Sequence, residues 1–534
     1  MLPELPYTNK TRRVTQDQFG GLERRMGAEN GAIADMVNLT GDHAPVLSSR
    51  GKRYTVRSVT KANGLFSDGE HLFLADGTTL YVDGVSAGSV TDTGKVFAAL
   101  GKRVVIWPDK KVLIPPVAPA TSWTLEALEA SVSTPCTFED GTYAGETAEA
   151  NTIKASGSVF NWANYFKPGD GVKISGAADT GNNKTAIVRE ISGNELRFYE
   201  NTFTNNSTAA TITVTREVPE LDYICVNENR VWGCKGDTIC CCKLGDPYNW
   251  YVFDGISTDA WSWDSGTAGS FTGCVSFLGY PCFFKEESIF KVYGSRPSNY
   301  EAMRSAVTGV LSGANNSMAV AGETLIYLSR NGFVAYTGGM PAPIGDALGN
   351  RKYTGAAAGS DGRKYYVSAA YTGGTELLVY DATTRLWHRE DTLSAVQMAW
   401  KKGVYALTSS ALLLIGTPET VPSGATAEGS YARSVTFAPF RYPYSTKGDG
   451  SDFQGKYPVR LWLRFKLGTG SALTVSIAYD GGAWETVAAA ATKGDYLPVP
   501  IRRCKSWQLK IEATGDFSLF ALEQEFLIST TGRR

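Results

Sequence analysis

The chain has 534 residues and a mass of 57.5 kDa, room for three or four domains at roughly 150 residues each, so a single small module is excluded. With 52 Lys and Arg against 53 Asp and Glu the formal charge is -1, which leaves no overall cationic field to gather nucleic acid or anionic lipid. Apolar residues at 43% and charged residues at 20% describe a folding chain, and the 57 glycines exceed the usual share of about 7% without any three-residue period, which reads as many tight turns.

The first residues, MLPELPYTNKTRRVTQDQF, carry proline and charge where a secretory leader needs an apolar stretch of about 7 to 15 residues, so no leader is expected. The most apolar run, Ala411 to Ile415, is far shorter than the roughly 18 residues of a membrane span, and none is expected. Residues 1–60 read as a charged, Gly-rich N-terminal arm with a short helix near Gln16 to Met26. From residue 61 the texture changes to apolar runs of about five residues between Asp-Gly, Gly-Gly and Asn-Gly turns, the pattern of antiparallel hairpins. LFSDGEHLFLADGTTLYVDG (Leu65 to Gly84) is the clearest, with turns at Asp68-Gly69, Asp76-Gly77 and Asp83-Gly84. Looser copies begin near Val96, Tyr223, Thr272, Met318, Gly355 and Ser394. From Tyr223 onward their starts lie about 37 to 49 residues apart, which matches the roughly 40 to 50 residues of a four-stranded propeller blade.

The spacing fails once, over residues 118–218. This stretch reads as an inserted domain: a helix at Trp123 to Ala130, then a small five- or six-stranded barrel announced by Pro168-Gly169-Asp170-Gly171 before Val172 and Ile174. After a Pro/Gly/Ser/Thr linker, strict alternation in Leu461, Leu463, Phe465, Leu467 and in Leu473, Val475, Ile477 implies a β-sandwich over residues 418–534. The expected fold is therefore all-β: a β-propeller over 61–117 and 219–417, interrupted by the insertion and followed by the sandwich.

Chemistry is sparsely announced. Nine cysteines include the run Cys240-Cys241-Cys242, but adjacent strand residues face opposite ways and no His is near in sequence, so buried free thiols are expected rather than a metal site. Only three histidines occur, at 43, 71 and 388, and none accompanies a G-x-S-x-G elbow, an H-E-x-x-H pair or a P-loop. IAYDGGAW (Ile477 to Trp484) departs from the Asp-box of sialidase propellers and reads as a hairpin turn. No catalytic residue, cofactor or metal is nominated. Basic residues at Arg12, Arg13, Arg24, Arg25, Arg50 and Arg53 are candidates for an oligomer or adaptor interface, through pairing with a partner's acids. Arg502-Arg503 and Arg533-Arg534 are further basic pairs.

Four strings in order, MVNLTGDHAPVLSSRGKR (Met36 to Arg53), FKEESIFKVYGSRPSNY (Phe284 to Tyr300), LIYLSRNGFVAYTGG (Leu325 to Gly339) and LPVPIRRCKSWQLKIEATGDFSL, resemble the tail nozzle, or stabilization, proteins of short-tailed bacteriophages. The residues that carry the resemblance are Asn38, Pro45, Leu47, Arg50, Glu286, Val292, Gly294, Leu328, Ser329, Gly332 and Trp387. It does not cover residues 118–218. The resemblance implies a non-enzymatic structural virion protein, assembled in the host cytoplasm and residing in the virion tail. It would form a homo-oligomeric, hexameric ring below the head-to-tail adaptor ring, contact a tail fibre or spike, and conduct dsDNA through its lumen without sequence-specific binding. The alternatives are a receptor- or fibre-binding tail protein and a propeller glycosidase.

Overall fold

The computed structural model describes residues 10–139, 151–157, 159–199, 203–252, 256–441, 456–490, 496–504 and 506–528; Arg533 and Arg534 lie outside them. Among these residues the chain is all-β, with no α-helix and five short 3-10 turns. It divides into two compact units, Asn63–Asn315 and Met1–Ala62 with Asn316–Arg534.

In the unit Asn63–Asn315 four sheets follow one another, each hydrogen-bonded in chain order. The first holds Ala62–Ser67, Leu72–Asp76, Thr79–Val82 and Val85–Ser89. Its last turn shows why Asp-Gly is there: Asp83 at φ 48° and Gly84 at φ 86° occupy the left-handed region that a two-residue hairpin requires. The second sheet runs from Val96–Leu100 to Thr124–Ala127, the third from Tyr223–Asn227 to Trp261–Asp264, and the fourth from Gly273–Phe277 to Glu301–Ser305. Consecutive sheets bury apolar faces against each other. Phe73 and Leu80 meet Val104 and Leu113; Val105 and Trp107 meet Val231 and Cys242; Trp232 and Cys234 meet Phe283 and Phe290. The opening strands of the second, third and fourth sheets lie alongside one another.

Between the second and third sheets stands a closed six-stranded barrel, from Ala130–Glu139 to Asn206–Arg216. Alternate residues of Gly171–Ser175 bury Val172 and Ile174 in a core with Phe138, Trp162, Val188 and Val214. The helix expected at Trp123 to Ala130 is absent. Thr124–Ala127 is instead the outer strand of the second sheet, with Leu125 opposite Leu113, because the unpaired edge of Lys111–Ile114 offers it a ladder. The insertion thus begins after that strand.

The other unit holds three more sheets. The fifth runs from Ala319–Ala321 to Ala342–Pro343 and the sixth from Tyr353–Ser360 to Leu386–Asp391. The seventh orders Gln397–Trp400, Val404–Leu407, Ala411–Ile415, Tyr54–Ser58 and Thr426–Ala427, so a strand from near the N-terminus completes it. Phe333 packs on Tyr353, Tyr365 and Trp387 between the fifth and sixth, while Leu377 and Val379 meet Val404 and Ile415 between the sixth and seventh.

Two six-stranded sheets complete this unit, and both bury alternate positions, as the pattern at Leu461, Leu463, Phe465 and Leu467 predicts. The separate arm expected over residues 1–60 does not exist in its described part. Lys10–Gln16 and Leu47–Ser49 pair with Phe517–Ile528, and Ile33–Val37 pairs with Ala432–Phe437. The physical reason is edge coverage: these strands supply ladder partners to strands that would otherwise end the sheets. The helix expected near Gln16 to Met26 is absent as well.

Candidate interaction site around Glu376

Glu376 lies on the sixth-sheet strand Gly374–Asp381, between Thr375 and Leu377, with its side chain buried. Arg24 donates to both carboxylate oxygens, Nη1 to Oε1 at 3.0 Å and Nη2 to Oε2 at 3.1 Å. Arg351 Nη1 donates at 2.7 Å, the Tyr353 hydroxyl at 2.5 Å, and Arg389 Nε stands 3.5 Å away. Asp35 reaches the outer side of the cluster, 3.2 Å from both Arg24 and Arg389. Burial alone would raise the Glu376 pKa, but the hydrogen bonds from Arg24 and Tyr353 and the Arg24 and Arg351 charges overcome it and hold the carboxyl below its ordinary value. The Tyr353 phenol is pushed up by burial and by its bond to Glu376.

Backbone placement explains how Arg24 gets there. The Leu22 N–H donates to Trp387 O at 2.6 Å and the Arg24 N–H to Ala347 O at 2.8 Å. Gly21 is required by this approach, since a Cβ would stand 2.3 Å from Trp387 O. Three guanidiniums face two carboxylates, so the cluster carries a surplus positive charge. It lines a solvent-open cavity of about 520 Å³ with Arg25, Met26 and Tyr371. Arg351 stacks over Tyr371, 4.3 Å from the ring centroid, with part of its guanidinium exposed. Arg25 is exposed and pairs with Glu23.

The remaining interface candidates are used differently. Arg50 is buried; it donates to Asn38 at 2.7 Å and pairs with Glu428 at 2.5 Å, with its guanidinium over the Tyr431 ring. Arg53 is buried against Glu390 at 2.7 Å and Asp391 at 2.5 Å. Arg13 pairs with Glu523 over the Trp462 ring, and Arg12 is exposed on the same strand. Buried guanidiniums already matched by carboxylates cannot present their charge to a partner, so Arg50 and Arg53 act as internal pins. Glu376, Arg351, Arg389 and Asp35 were not read from the sequence. The only signal was an acid inside the apolar run TELLVY.

All nine thiols are buried and unpaired in disulfides. Cys240 and Cys242 join the core shared with the second sheet, while Cys241 faces the fourth. Burial raises the Cys241 thiol to about 12, which removes thiolate reactivity near neutrality. Among the described residues no group of three His, Cys, Asp or Glu side chains is placed to hold a metal ion, and no helix is long and apolar enough to cross a membrane. His71 Nδ1 lies 2.8 Å from Asp83, and His388 is buried beside Gly41.

No family model matches the sequence, and no curated protein matches it. Among solved structures, an exported protein from Bacteroides fragilis is similar at 11% identity over 53% of this chain and 94% of that one, with a TM-score of 0.25. An exo-β-1,3-galactanase from Phanerochaete chrysosporium with galactose is similar at 11% identity over 56% and 96%, with a TM-score of 0.17. The same enzyme with β-1,3-galactotriose covers 88% of this chain and 100% of that one at 10% identity, with a TM-score of 0.19.

Proposed function

We propose that the chain is a structural virion protein whose seven successive sheets are the blades of a β-propeller. In this reading several copies, six by the resemblance, form the nozzle ring of a short phage tail, which docks on the adaptor, closes the tail and conducts duplex DNA. The chain makes and breaks no bonds.

The observation that carries the reading is where the residues of the resemblance lie: they hold the framework. Asn38 takes φ 56° and ties Arg50 to the backbone oxygen of Ala432. Glu286 accepts from the Ser312 N–H at 2.9 Å, in the loop where a Cβ on Gly309 would strike Lys285 O. Gly294, at φ 111°, sits against Asn299 O, and Ser329 donates to Gly332 O across a hairpin at 2.8 Å. Trp387 is buried with its Nε1 on Ile344 O at 2.6 Å. Residues that form turns and pin the framework serve a shape rather than a reaction. The strand Tyr54–Ser58 in the seventh sheet fits the same reading, since completing the last blade with an N-terminal strand is a way to lock a ring of sheets shut.

The surplus charge of the cluster, presented by the part-exposed Arg351 with exposed Arg25 beside it, is suited to an acidic side chain of the neighbouring copy or the adaptor. Light scattering and particle imaging test the proposal. The expected result is a closed ring, alone or with adaptor, around a hole of roughly 20 Å or more, enough for a B-form duplex. A strictly monomeric protein that ignores adaptor rings would overturn it.

A further inference from the structure

In the unit Asn63–Asn315 a cleft of about 740 Å³ opens between the barrel and the third sheet. It meets a smaller cavity of about 280 Å³ at Gly171 and Tyr251, which line both. These volumes are those of small-molecule sites, and junctions between modules are where such sites form.

The walls are held in place. Asp170 pairs with Arg216 in a buried contact at 2.5 Å and accepts from Asn249 at 3.1 Å, while the Gly171 N–H donates to Asn249 Oδ1 at 3.0 Å. Lys167 and Arg216 lie over the Tyr248 ring, whose hydroxyl donates to Glu126 at 2.7 Å. The barrel is therefore fixed to the third-sheet loop, and the cleft is preformed.

Its lining is apolar at the base and polar at the rim, with charges that cancel. Val218 and Leu221 are buried there. The Trp250 ring is fixed edge-on to Trp107 at 5.8 Å, with its Nε1 on Pro247 O, and Tyr251 is exposed beside it. Gly171 permits this: a Cβ would stand 2.9 Å from Tyr251 Cβ and 3.1 Å from its ring. At the rim Lys110 is matched by Glu129 and Glu220, Lys173 by Glu217, and exposed Lys235 completes three cations against three carboxylates. A ligand of either charge meets no net opposite charge there, and a purely apolar one would strip water from the charged groups. A ligand with flat C–H faces and a fringe of hydroxyls meets both demands, since the faces lie on aromatic rings and the hydroxyls exchange hydrogen bonds with the paired charges and with Thr185, Thr215 and Ser262.

We infer that this cleft binds a neutral oligosaccharide, with Tyr251 as its stacking platform. The inference stands independently of the ring assembly. The test is an array of neutral hexose and N-acetylhexosamine oligosaccharides probed with the full chain, followed by calorimetry on the best binder. Binding should be insensitive to salt from about 0.05 to 0.5 M, should weaken at least about tenfold in Tyr251→Ala, and should weaken severalfold in Gly171→Ala. Glu220→Gln, at an exposed position, is the second probe and should weaken binding without altering the melting temperature. Retention of charged glycans or peptides only, no retention at all, or affinity unchanged in both Tyr251→Ala and Glu220→Gln would overturn the inference.

Discussion

Glu376 is the residue whose loss should be felt most at its site, because one buried carboxylate balances Arg24, Arg351 and Arg389. Replacing it by Gln leaves three guanidiniums with only the half-exposed Asp35 to balance them, and breaking a buried pair in this way costs about 3 to 5 kcal/mol. Glu376→Gln should therefore lower the melting temperature by several degrees and by more than Asp35→Asn, whose carboxylate is half exposed. The pH dependence has a definite sign. A carboxyl held below its ordinary 4.5 adds stability that is full above that value and lost as pH falls through the folded one. His388 acts in a higher window. Burial first, then the charge of Lys364, pushes it down from 6.5 to about 4. The unfolded chain binds a proton between those values that the folded chain refuses, so stability is full above 6.5 and falls by about 3 kcal/mol on acidification to 4. Denaturation in urea at pH 7.5, 5.5 and 4.5 should show this loss, and His388→Gln should flatten it. Arg24 was legible as a candidate from its doublet with Arg25, but its partner is 352 positions away in sequence, and pairings at that range leave no local periodicity to read.

At the scale of elements, the turn chemistry that marks the first sheet was legible because left-handed positions select Gly and Asp. Starts read at Leu65, Val96, Tyr223, Thr272, Met318, Gly355 and Ser394 each fall at or near the opening strand of a sheet. Trp123 to Ala130 was misread because its Trp, Leu and Leu spacing also suits a helix, and a vacant sheet edge outweighs local propensity. The polar strand Lys10–Gln16 carries little apolar alternation, so nothing local announces its pairing with Phe517–Ile528. The barrel gives a direct test of modularity. Ala130 is register-paired with Arg216, so its two ends lie one strand spacing apart, about 5 Å. Replacing residues 131–215 by a short Gly/Ser linker should leave a chain that still unfolds cooperatively with β circular dichroism, while losing the Asp170 and Asn249 contacts lowers its melting temperature. Collapse into aggregates would mean that the third sheet cannot stand without the barrel.

At the scale of the whole molecule, the charge balance bears on what the proposed ring would do to DNA. Each phosphate neutralised by Lys or Arg releases counterions, so affinity falls with salt with a slope of about 0.9 per contact. A wall made of chains carrying 52 basic and 53 acidic residues, whose buried basic side chains such as Arg53, Lys95 and Arg216 are already held by carboxylates, would offer few such contacts. A conduit benefits from that poverty, because every retained contact is a barrier to sliding. Linear duplex mixed with the assembled protein should therefore show no retention at about 0.15 M salt, where ordinary non-specific binders hold DNA with dissociation constants of roughly 10⁻⁴ to 10⁻⁶ M. Lowering salt to about 0.05 M should gain little, since a slope built on few contacts is shallow. Tight retention with a steep salt slope would mean that the basic residues gather on one surface, and the chain would then be a DNA clamp rather than a passage.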